Sequence, residues 1–350
     1  MVQGFATAPP RLGHAPSGAA PSPPVHAGFS RRTYAALDLG TNNCRLLIAR
    51  PAREGFVVVD AFSRIVRLGE GLSGSGRLSE AAMDRAVAAL AICAEKIRRR
   101  HVSLVRSVAT EACRRADNGR AFVERVYAET GLALDIIPPR EEARLAVIGC
   151  HALLEPGDGP ALIFDIGGGS TELILIDDRG GEPAILDWYS APWGVVSLTE
   201  SEPRDAPTRE ERFAAYQRMR ARIADEFGGF AKTLGKHHIA PVRLLGTSGT
   251  VTTLASLHLG LPNYDRRAVD GLVVPATAMR DISGRLSAMS VAERAQLPCI
   301  GGERADLVVA GCAILEAILD IWPAERLGIA DRGIREGILR TLMARGGRLA

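Results

Sequence analysis

Two short segments of the chain follow one pattern, and this repetition constrains the fold more than any other feature. Each begins as an apolar strand that ends in Asp and continues through a glycine turn and hydroxyl or amide residues into a second apolar strand. The segments are Asp38-Leu-Gly-Thr-Asn42 and Asp165-Ile-Gly-Gly-Gly-Ser-Thr-Glu172. Glycine lets backbone N–H groups approach an anion, and successive N–H groups can form a nest for phosphate. Two such turns facing a common cleft indicate a phosphate-handling enzyme built from two related domains.

The composition favours a globular protein without a nucleic-acid or membrane partner. The chain of 350 residues is long enough for two domains, and its formal net charge is only +3. The six cysteines form no C-x-x-C pair, so neither a zinc site nor a disulfide framework is indicated. The most apolar stretch, residues 307–322, is interrupted by Glu316 and Asp320, which favours a buried helix over a membrane span. We therefore expect a cytoplasmic protein, and a homodimer is left open.

Residues 1–32 contain prolines among Ala, Gly and Ser, a composition that predicts a disordered tail. The tail lacks the continuous apolar segment of a secretory signal. Beyond it, strands and helices alternate, which indicates the α/β class. Helices are predicted after Ser79 and over residues 119–129, 140–153 and 208–232, and another after the Gly246–Thr250 loop. Strands are predicted over residues 34–39, 45–49, 56–61, 104–109, 134–137, 161–165, 172–176, 184–188, 242–245 and 327–330.

The second turn carries the stronger functional signal of the pair. An ordinary hairpin needs only one or two glycines, and three consecutive glycines cost conformational entropy. Ser170 and Thr171 can donate hydrogen bonds to phosphate oxygens, while Glu172 can bind a metal or its water. Asp at a strand end, as at positions 38 and 165, can hold Mg²⁺ or orient water.

Three further segments allow both a functional and a structural interpretation. Gly246-Thr-Ser-Gly-Thr250 joins a strand to a helix and suits either anion binding or an ordinary N-cap. Arg114 could bind phosphate with two nitrogens or lie on the surface. Glu141 and Glu142 open a helix, where the helix dipole alone favours acidic residues.

Together these residues resemble the exopolyphosphatase/guanosine pentaphosphate phosphatase family, which has an actin-like, sugar-kinase-like fold. The resemblance runs from about Thr33 to the helix that begins near Asp331. It is carried by Asp38–Arg45, Ala109-Thr-Glu-Ala-Cys-Arg114, Glu141-Glu-Ala-Arg-Leu145, Asp165–Glu172, Gly246–Thr250 and Ala330-Asp-Arg-Gly-Ile-Arg-Glu-Gly337. Longer members add a helical domain with a His-Asp pair, and this sequence contains no His-Asp dipeptide. It therefore resembles the short type with two domains.

The resemblance implies two actin-like (ribonuclease H-like) domains flanking a phosphate-binding cleft, over residues 33–145 and 146–350, and the last helix is a candidate to pack back on the first domain. It implies Glu142 as catalytic base and Mg²⁺ as cofactor, bound by Asp165, Glu172 and Asp38. It also implies a set of phosphate-binding residues: Gly40, Thr41, Asn42, Arg45, Arg114, Gly167, Gly168, Gly169, Ser170, Thr171, Gly246, Ser248, Gly249 and Thr250.

The expected reaction is hydrolysis of terminal phosphoanhydride bonds of inorganic polyphosphate, with release of orthophosphate. Guanosine pentaphosphate is the alternative substrate, because both substrates end in the same anhydride. Two other classes rank lower: an ATPase switch of the actin type and a catalytically idle protein that senses polyphosphate or nucleotides. The segment around Glu142 argues against the first, and the complete acidic set argues against the second.

Overall fold

The computed structural model describes residues 32–179, 183–202, 206–236 and 243–347. The predicted tail lies outside the described residues except for its last position, and so does the first residue of the strand predicted at 242–245. The strands are β1 Tyr34–Leu39, β2 Asn43–Pro51, β3 Phe56–Ile65, β4 Leu104–Ala109, β5 Leu134–Ile136, β6 Ala161–Ile166, β7 Thr171–Asp177, β8 Ala184–Ala191, β9 Arg243–Thr247, β10 Val273–Pro275 and β11 Arg326–Ala330.

The helices are α1 Leu72–Ser75, α2 Glu80–Arg99, α3 Glu111–Arg115, α4 Gly119–Thr130, α5 Pro139–Cys150, α6 Val195–Glu200, α7 Arg209–Lys236, α8 Gly249–His258, α9 Arg266–Val269, α10 Ala276–Ala288, α11 Val291–Ala295, α12 Val308–Ile321 and α13 Ile334–Gly347, with a 3-10 turn at His151–Leu153. None of the helices in the described ranges is both long and apolar enough to span a bilayer.

The strands form two sheets with the same connectivity. The first sheet has the order β3-β2-β1-β4-β5, and the second has β8-β7-β6-β9-β11 with β10 added at the edge. In each sheet the first strand is antiparallel to the second and parallel to the fourth: β1 to β2 and β4, β6 to β7 and β9. The α/β prediction is confirmed, and the similar starts of the two halves reflect a duplicated sheet.

Three apolar cores follow from the side-chain alternation of these strands. In β1, Ala35, Leu37 and Leu39 pack into one core, while Tyr34 and Ala36 face the opposite side of the sheet. The opposite-side core is shared by both sheets, and helices α5 and α13 lie within it. The two helices therefore join the halves of the molecule.

Glycines allow α5 and α13 to come into close contact. A Cβ on Gly337 of α13 would lie 2.0 Å from the carbonyl oxygen of Leu145 on α5. A Cβ on Gly149 of α5 would lie 2.0 Å from the carbonyl oxygen of Gly333. The predicted domain limit between residues 145 and 146 falls inside α5 and stays a prediction.

Local sequence patterns predicted several helices and strands correctly but missed others. Ser79 caps α2, because its side chain accepts a hydrogen bond from the backbone nitrogen of Ala82 at 3.3 Å. Strand β10, which ends in Pro275, and helix α6 were not predicted. Both are short, so periodicity over a few residues could not reveal them.

Candidate active site

The two sequence repeats are matching hairpins at corresponding positions of the two sheets. Asp38 pairs with Arg45 across β1 and β2, as Asp165 pairs with Glu172 across β6 and β7. The nitrogen of Gly40 donates to the carbonyl of Asn43 at 2.9 Å, and in the second hairpin the corresponding bond, also 2.9 Å, joins the first glycine to Ser170. The partner of the Asp differs between the hairpins, because Arg45 is a cation and Glu172 is a carboxylate.

In both turns the carbonyl groups are held away from the cleft. The carbonyl of Asn42 accepts hydrogen bonds from the nitrogens of Val66 and Arg67, and that of Gly168 accepts one from Val196 at the start of α6. The N–H groups of Thr41, Asn42, Gly168 and Gly169 make no hydrogen bond within the described residues. Free N–H groups on tight turns are the donors that bind phosphate oxygens.

The turns touch each other across the cleft. A Cβ on Gly168 would lie 2.9 Å from the backbone nitrogen of Asn42, and one on Gly169 would lie 2.0 Å from Oε2 of Glu111. A side chain at Gly168 would displace the backbone of the opposite loop, and one at Gly169 would displace the side chain of Glu111. The cleft between the turns has a cavity volume of about 140 Å³.

Most of the predicted residues line this cavity. They are Asp38, Gly40, Thr41, Asn42, Arg45, Glu142, Asp165, Gly167, Gly168, Gly169, Ser170, Glu172, Ser248, Gly249 and Thr250.

The Gly246–Thr250 loop also reaches the cavity, and it contains a residue with a strained backbone conformation. Ser248 has φ 141° and ψ 172°, a backbone conformation that is almost restricted to glycine. Its Oγ caps α8 by accepting from the nitrogen of Thr250 at 3.2 Å. The loop is therefore an N-cap, as the structural interpretation proposed, and it also lines the cleft. Strain of this kind concentrates at functional sites.

Three predicted phosphate-binding residues do not line the cavity. A Cβ on Gly246 would lie 2.6 Å from the ring of Phe164, so this glycine allows core packing. Thr171 donates its hydroxyl to the carbonyl of Trp193 at 2.7 Å. Arg114 donates to the carbonyl of Ile137 at 2.7 Å and to the carboxylate of Glu142 at 3.3 Å.

Glu142 and its neighbour Glu141 lie in different environments on the first turn of α5. The Glu142 residue is only 6% exposed, and Arg114 holds its carboxylate. Burial, followed by the nearby charge of Glu172, raises the pKa of Glu142 well above its usual range, although Arg114 opposes the shift. Glu141 instead binds Arg144 at 2.7 Å and Arg106 at 2.9 Å, and the hydrogen bond from Arg144 contributes most to lowering its pKa. Its role exceeds the helix-dipole effect that the sequence suggested.

The three carboxylates predicted to bind metal, Asp38, Asp165 and Glu172, all have raised pKa values. Burial, followed by repulsion from Glu172, raises the pKa of Asp165 to about 8, and Arg45 acts against this shift. Burial also raises the pKa of Asp38, against the attraction of Arg45. The pKa of Glu172 is raised by burial even though Ser170 donates to its Oε1 at 2.7 Å. A cation at this place would stabilise the ionised forms.

Two buried oxygen atoms of the cleft are suitable ligands for Mg²⁺. Oδ1 of Asp38 and Oδ1 of Asn42 have no hydrogen-bond partner among the described residues. No group of three or more His, Cys, Asp or Glu side chains in the described ranges forms a ready-made metal cluster. Mg²⁺ is usually held by one or two carboxylates together with waters and substrate phosphates, so it does not need such a cluster. The residues fit Mg²⁺ bound jointly with a phosphate, and the metal stays a prediction.

Two charged residues of the cavity were missing from the predicted site. Glu111 begins α3 inside a motif that the sequence pointed out, and its Oε2 accepts from the hydroxyl of Thr41 at 3.0 Å. Arg304 also lines the cavity, next to Thr253. The available signal was Gly301-Gly302-Glu303-Arg304, in which a pair of glycines stands close to a cation, as suits an anion site.

Comparison with known proteins identifies the family. The model of the Ppx/GppA phosphatase family matches residues 47–345. The chain belongs to this family. Exopolyphosphatase 2 of Mycobacterium tuberculosis is 32% identical over 322 residues, which cover 88% of this chain and 98% of the relative. A guanosine-5'-triphosphate,3'-diphosphate pyrophosphatase of Aeromonas hydrophila is 29% identical over 89% of this chain and 59% of its own length.

Among solved structures, the Ppx/GppA family member of Aquifex aeolicus matches with a TM-score of 0.72 at 28% identity. The match covers 90% of this chain and 98% of that chain. The expectation of two actin-like domains is confirmed by this likeness and by the duplicated sheets. As a member of a phosphatase family, the protein is a hydrolase.

Proposed function

We propose that the protein hydrolyses the terminal phosphoanhydride bond of inorganic polyphosphate and releases orthophosphate. The observation that carries this proposal is the pair of facing glycine turns, whose free N–H groups can bind phosphate oxygens while Glu142 lines the same cavity. The name of the Mycobacterium tuberculosis relative supports polyphosphate as the substrate.

The residues of the cleft suit a phosphoryl transfer to water. The free N–H groups of the turns and the Arg45 guanidinium would stabilise charge on the transferred phosphoryl group. Glu142 would accept a proton from the attacking water, and because burial raises its pKa, its carboxylate is a stronger base than an exposed one. Arg114 would hold the Glu142 carboxylate in position.

Magnesium, held by Asp38, Asp165 and Glu172, would neutralise charge on the phosphate oxygens. Desolvation raises the pKa of all three carboxylates, and a bound cation would favour their ionised forms, which supports such a role.

Guanosine pentaphosphate is the second candidate substrate, and one feature of the structure favours it. A cavity of about 630 Å³ adjoins the catalytic cleft at Leu307, and Val196, Met219, Val309 and Ala310 give it apolar walls. A pocket of this size and polarity could take a purine base. The name of the Aeromonas hydrophila relative points the same way.

Orthophosphate release measured side by side on polyphosphate, guanosine pentaphosphate and ATP tests the proposal. All three substrates are supplied at equal concentration of terminal phosphate with excess Mg²⁺. We expect the highest kcat/KM on polyphosphate. A preference for guanosine pentaphosphate would select the second candidate, and a preference for ATP would favour the nucleotide switch.

A further inference from the structure

A polar groove opens beside the catalytic cleft, between the end of β3 and the loop that precedes α12. It has a volume of about 640 Å³, and we call it the distal groove; its lining residues are Ser63, Arg64, Ile65, Ile300, Gly301, Gly302, Glu303 and Arg304. Arg304 lines both the groove and the cleft. We propose that the distal groove binds the phosphates of a polyphosphate chain that lie beyond the terminal one. This inference rests on the proposed function.

Arg304 carries an available positive charge at the junction of the two cavities. Its side chain is half-buried, and its hydrogen bond is a weak one of 3.5 Å to the hydroxyl of Thr253. Within the described ranges it forms no ion pair with a carboxylate. The guanidinium is therefore free to bind phosphate oxygens, for which its planar fork of donors is well suited.

Arg64 supplies a second charge at the outer part of the groove. Its guanidinium lies over the ring of Phe62, 5.3 Å from the ring centroid. A cation–π contact orients the side chain without neutralising it. Among the described residues that line the groove, Glu303 is the one acidic residue, so two arginines stand against a single carboxylate. The groove therefore has a net positive charge. Because Gly301 and Gly302 carry no side chains, a bound polyphosphate chain can come close to their backbone.

A third arginine fixes the two walls of the groove relative to each other. Arg67 follows β3 and adopts a left-handed backbone conformation, with φ 48°. Its guanidinium binds both carboxylate oxygens of Asp306, at 2.8 and 3.1 Å, and the carbonyl of Glu303 at 3.1 Å. Arg304 lies between these two anchored residues, so the bidentate contact positions it beside the end of β3.

The chemistry of the groove distinguishes two classes of substrate. A long polyphosphate repeats a negative charge at every unit and must leave the cleft through a polar, positive exit. A guanosine polyphosphate ends in a nucleoside, for which the apolar cavity at Leu307 is the better match. Arg64 is therefore expected to matter only for substrates long enough to pass Arg304.

The test compares KM for long-chain polyphosphate with KM for tripolyphosphate in Arg64→Gln and Arg304→Gln. The control is Arg53→Gln, which removes an exposed charge at the opposite end of β3. Because an exposed arginine–phosphate contact is modest, we expect Arg64→Gln to raise the long-chain KM about threefold to tenfold and the tripolyphosphate KM less than about twofold. Arg304→Gln should raise both KM values, and the control should raise neither.

The outcomes separate this inference from the proposed function. If the wild type hydrolyses both substrates and Arg64→Gln and Arg304→Gln leave the long-chain KM unchanged, the distal groove is wrong and the function stands. If the wild type releases no phosphate from either polyphosphate, the function is wrong. The groove is then judged by calorimetric titration of long-chain polyphosphate. Weaker binding by Arg64→Gln than by Arg53→Gln would support it, and equal binding would refute it.

Discussion

Replacing Gly337 by Ala tests the close crossing of α5 and α13, which fixes the position of Glu142. The new Cβ would lie 2.0 Å from the carbonyl oxygen of Leu145 and 2.8 Å from its carbonyl carbon. Ordinary contacts between heavy atoms lie near about 3.5 Å. Because backbone atoms cannot rotate away, one helix has to move by roughly 1 Å or more relative to the other.

Two opposing effects set the magnitude. Overpacking of a tight core costs about 1–3 kcal/mol, and a clash with rigid backbone belongs at the upper end of this range. Alanine gains up to about 1 kcal/mol over glycine inside a helix. We therefore expect the free energy of unfolding to fall by about 2 kcal/mol in Gly337→Ala. The matched control is Gly229→Ala in α7, where no atom outside the local helix backbone lies within 4 Å of the new Cβ among the described residues. This change should raise the free energy of unfolding by up to about 1 kcal/mol.

Urea unfolding followed by circular dichroism measures both variants against the wild type. The kcat of Gly337→Ala should also fall, because Leu145 lies one turn after Glu142 on the helix that is displaced. If Gly337→Ala were as stable as Gly229→Ala, the contact between α5 and α13 would be looser than described. This contact would then not fix the position of Glu142.

Three further predictions concern metal, salt and pH. Excess chelator should abolish phosphate release, and Asp165→Asn should remove most activity with an unchanged circular dichroism spectrum; full activity in chelator would argue against Mg²⁺. The KM for long polyphosphate should rise more steeply with ionic strength than that for tripolyphosphate, because exposed charges are screened; equal slopes would count against the groove. The hydrogen bond from Lys96 contributes most to lowering the pKa of Asp60 in the folded protein below 3.8. The ionised Asp60 therefore stabilises the fold above pH 3.8, and this stabilisation is lost as the pH falls through the pKa that Asp60 has in the folded protein. The difference in unfolding free energy between wild type and Asp60→Asn should be at most about 1 kcal/mol at pH 6 and shrink towards pH 3; a constant difference would contradict this.

The hairpins could be predicted from sequence because their signals are local. Three consecutive glycines after Asp165, and a Ser at position 79 before an amphipathic stretch, each act within a few residues. The same reasoning predicted the strand starts at Tyr34 and Ala161 without error. The duplicated pattern was enough to indicate two similar sheets.

Contacts between residues that are far apart in the sequence could not be predicted from such local signals. Gly246 has the same local appearance as a phosphate-binding glycine, and only the ring of Phe164 against it reveals a packing role. The pairing of Arg114 with Glu142 joins residues 28 positions apart, so neither side chain alone indicated the other. The location of the Mg²⁺ site, the domain limits, a cytoplasmic location and a homodimer stay predictions.

In the proposed reaction, Glu142 activates water at a site where other groups bind the phosphates. Glu142→Gln keeps the size of the side chain and removes its basic oxygen. Losing a general base costs about 10²–10⁴-fold in rate. Glu141→Gln is the matched control, because its carboxylate binds Arg106 and Arg144 and does not line the cavity.

The decisive measurement is kcat on polyphosphate together with the dissociation constant for polyphosphate, in both variants and the wild type. We predict a loss of kcat of about 10²–10⁴-fold in Glu142→Gln with the dissociation constant within about threefold of wild type, and near-normal values of both in Glu141→Gln. A dead Glu141→Gln beside an active Glu142→Gln would contradict the assignment. Full activity in both variants would mean that the water is activated elsewhere, with Glu172 as the next candidate.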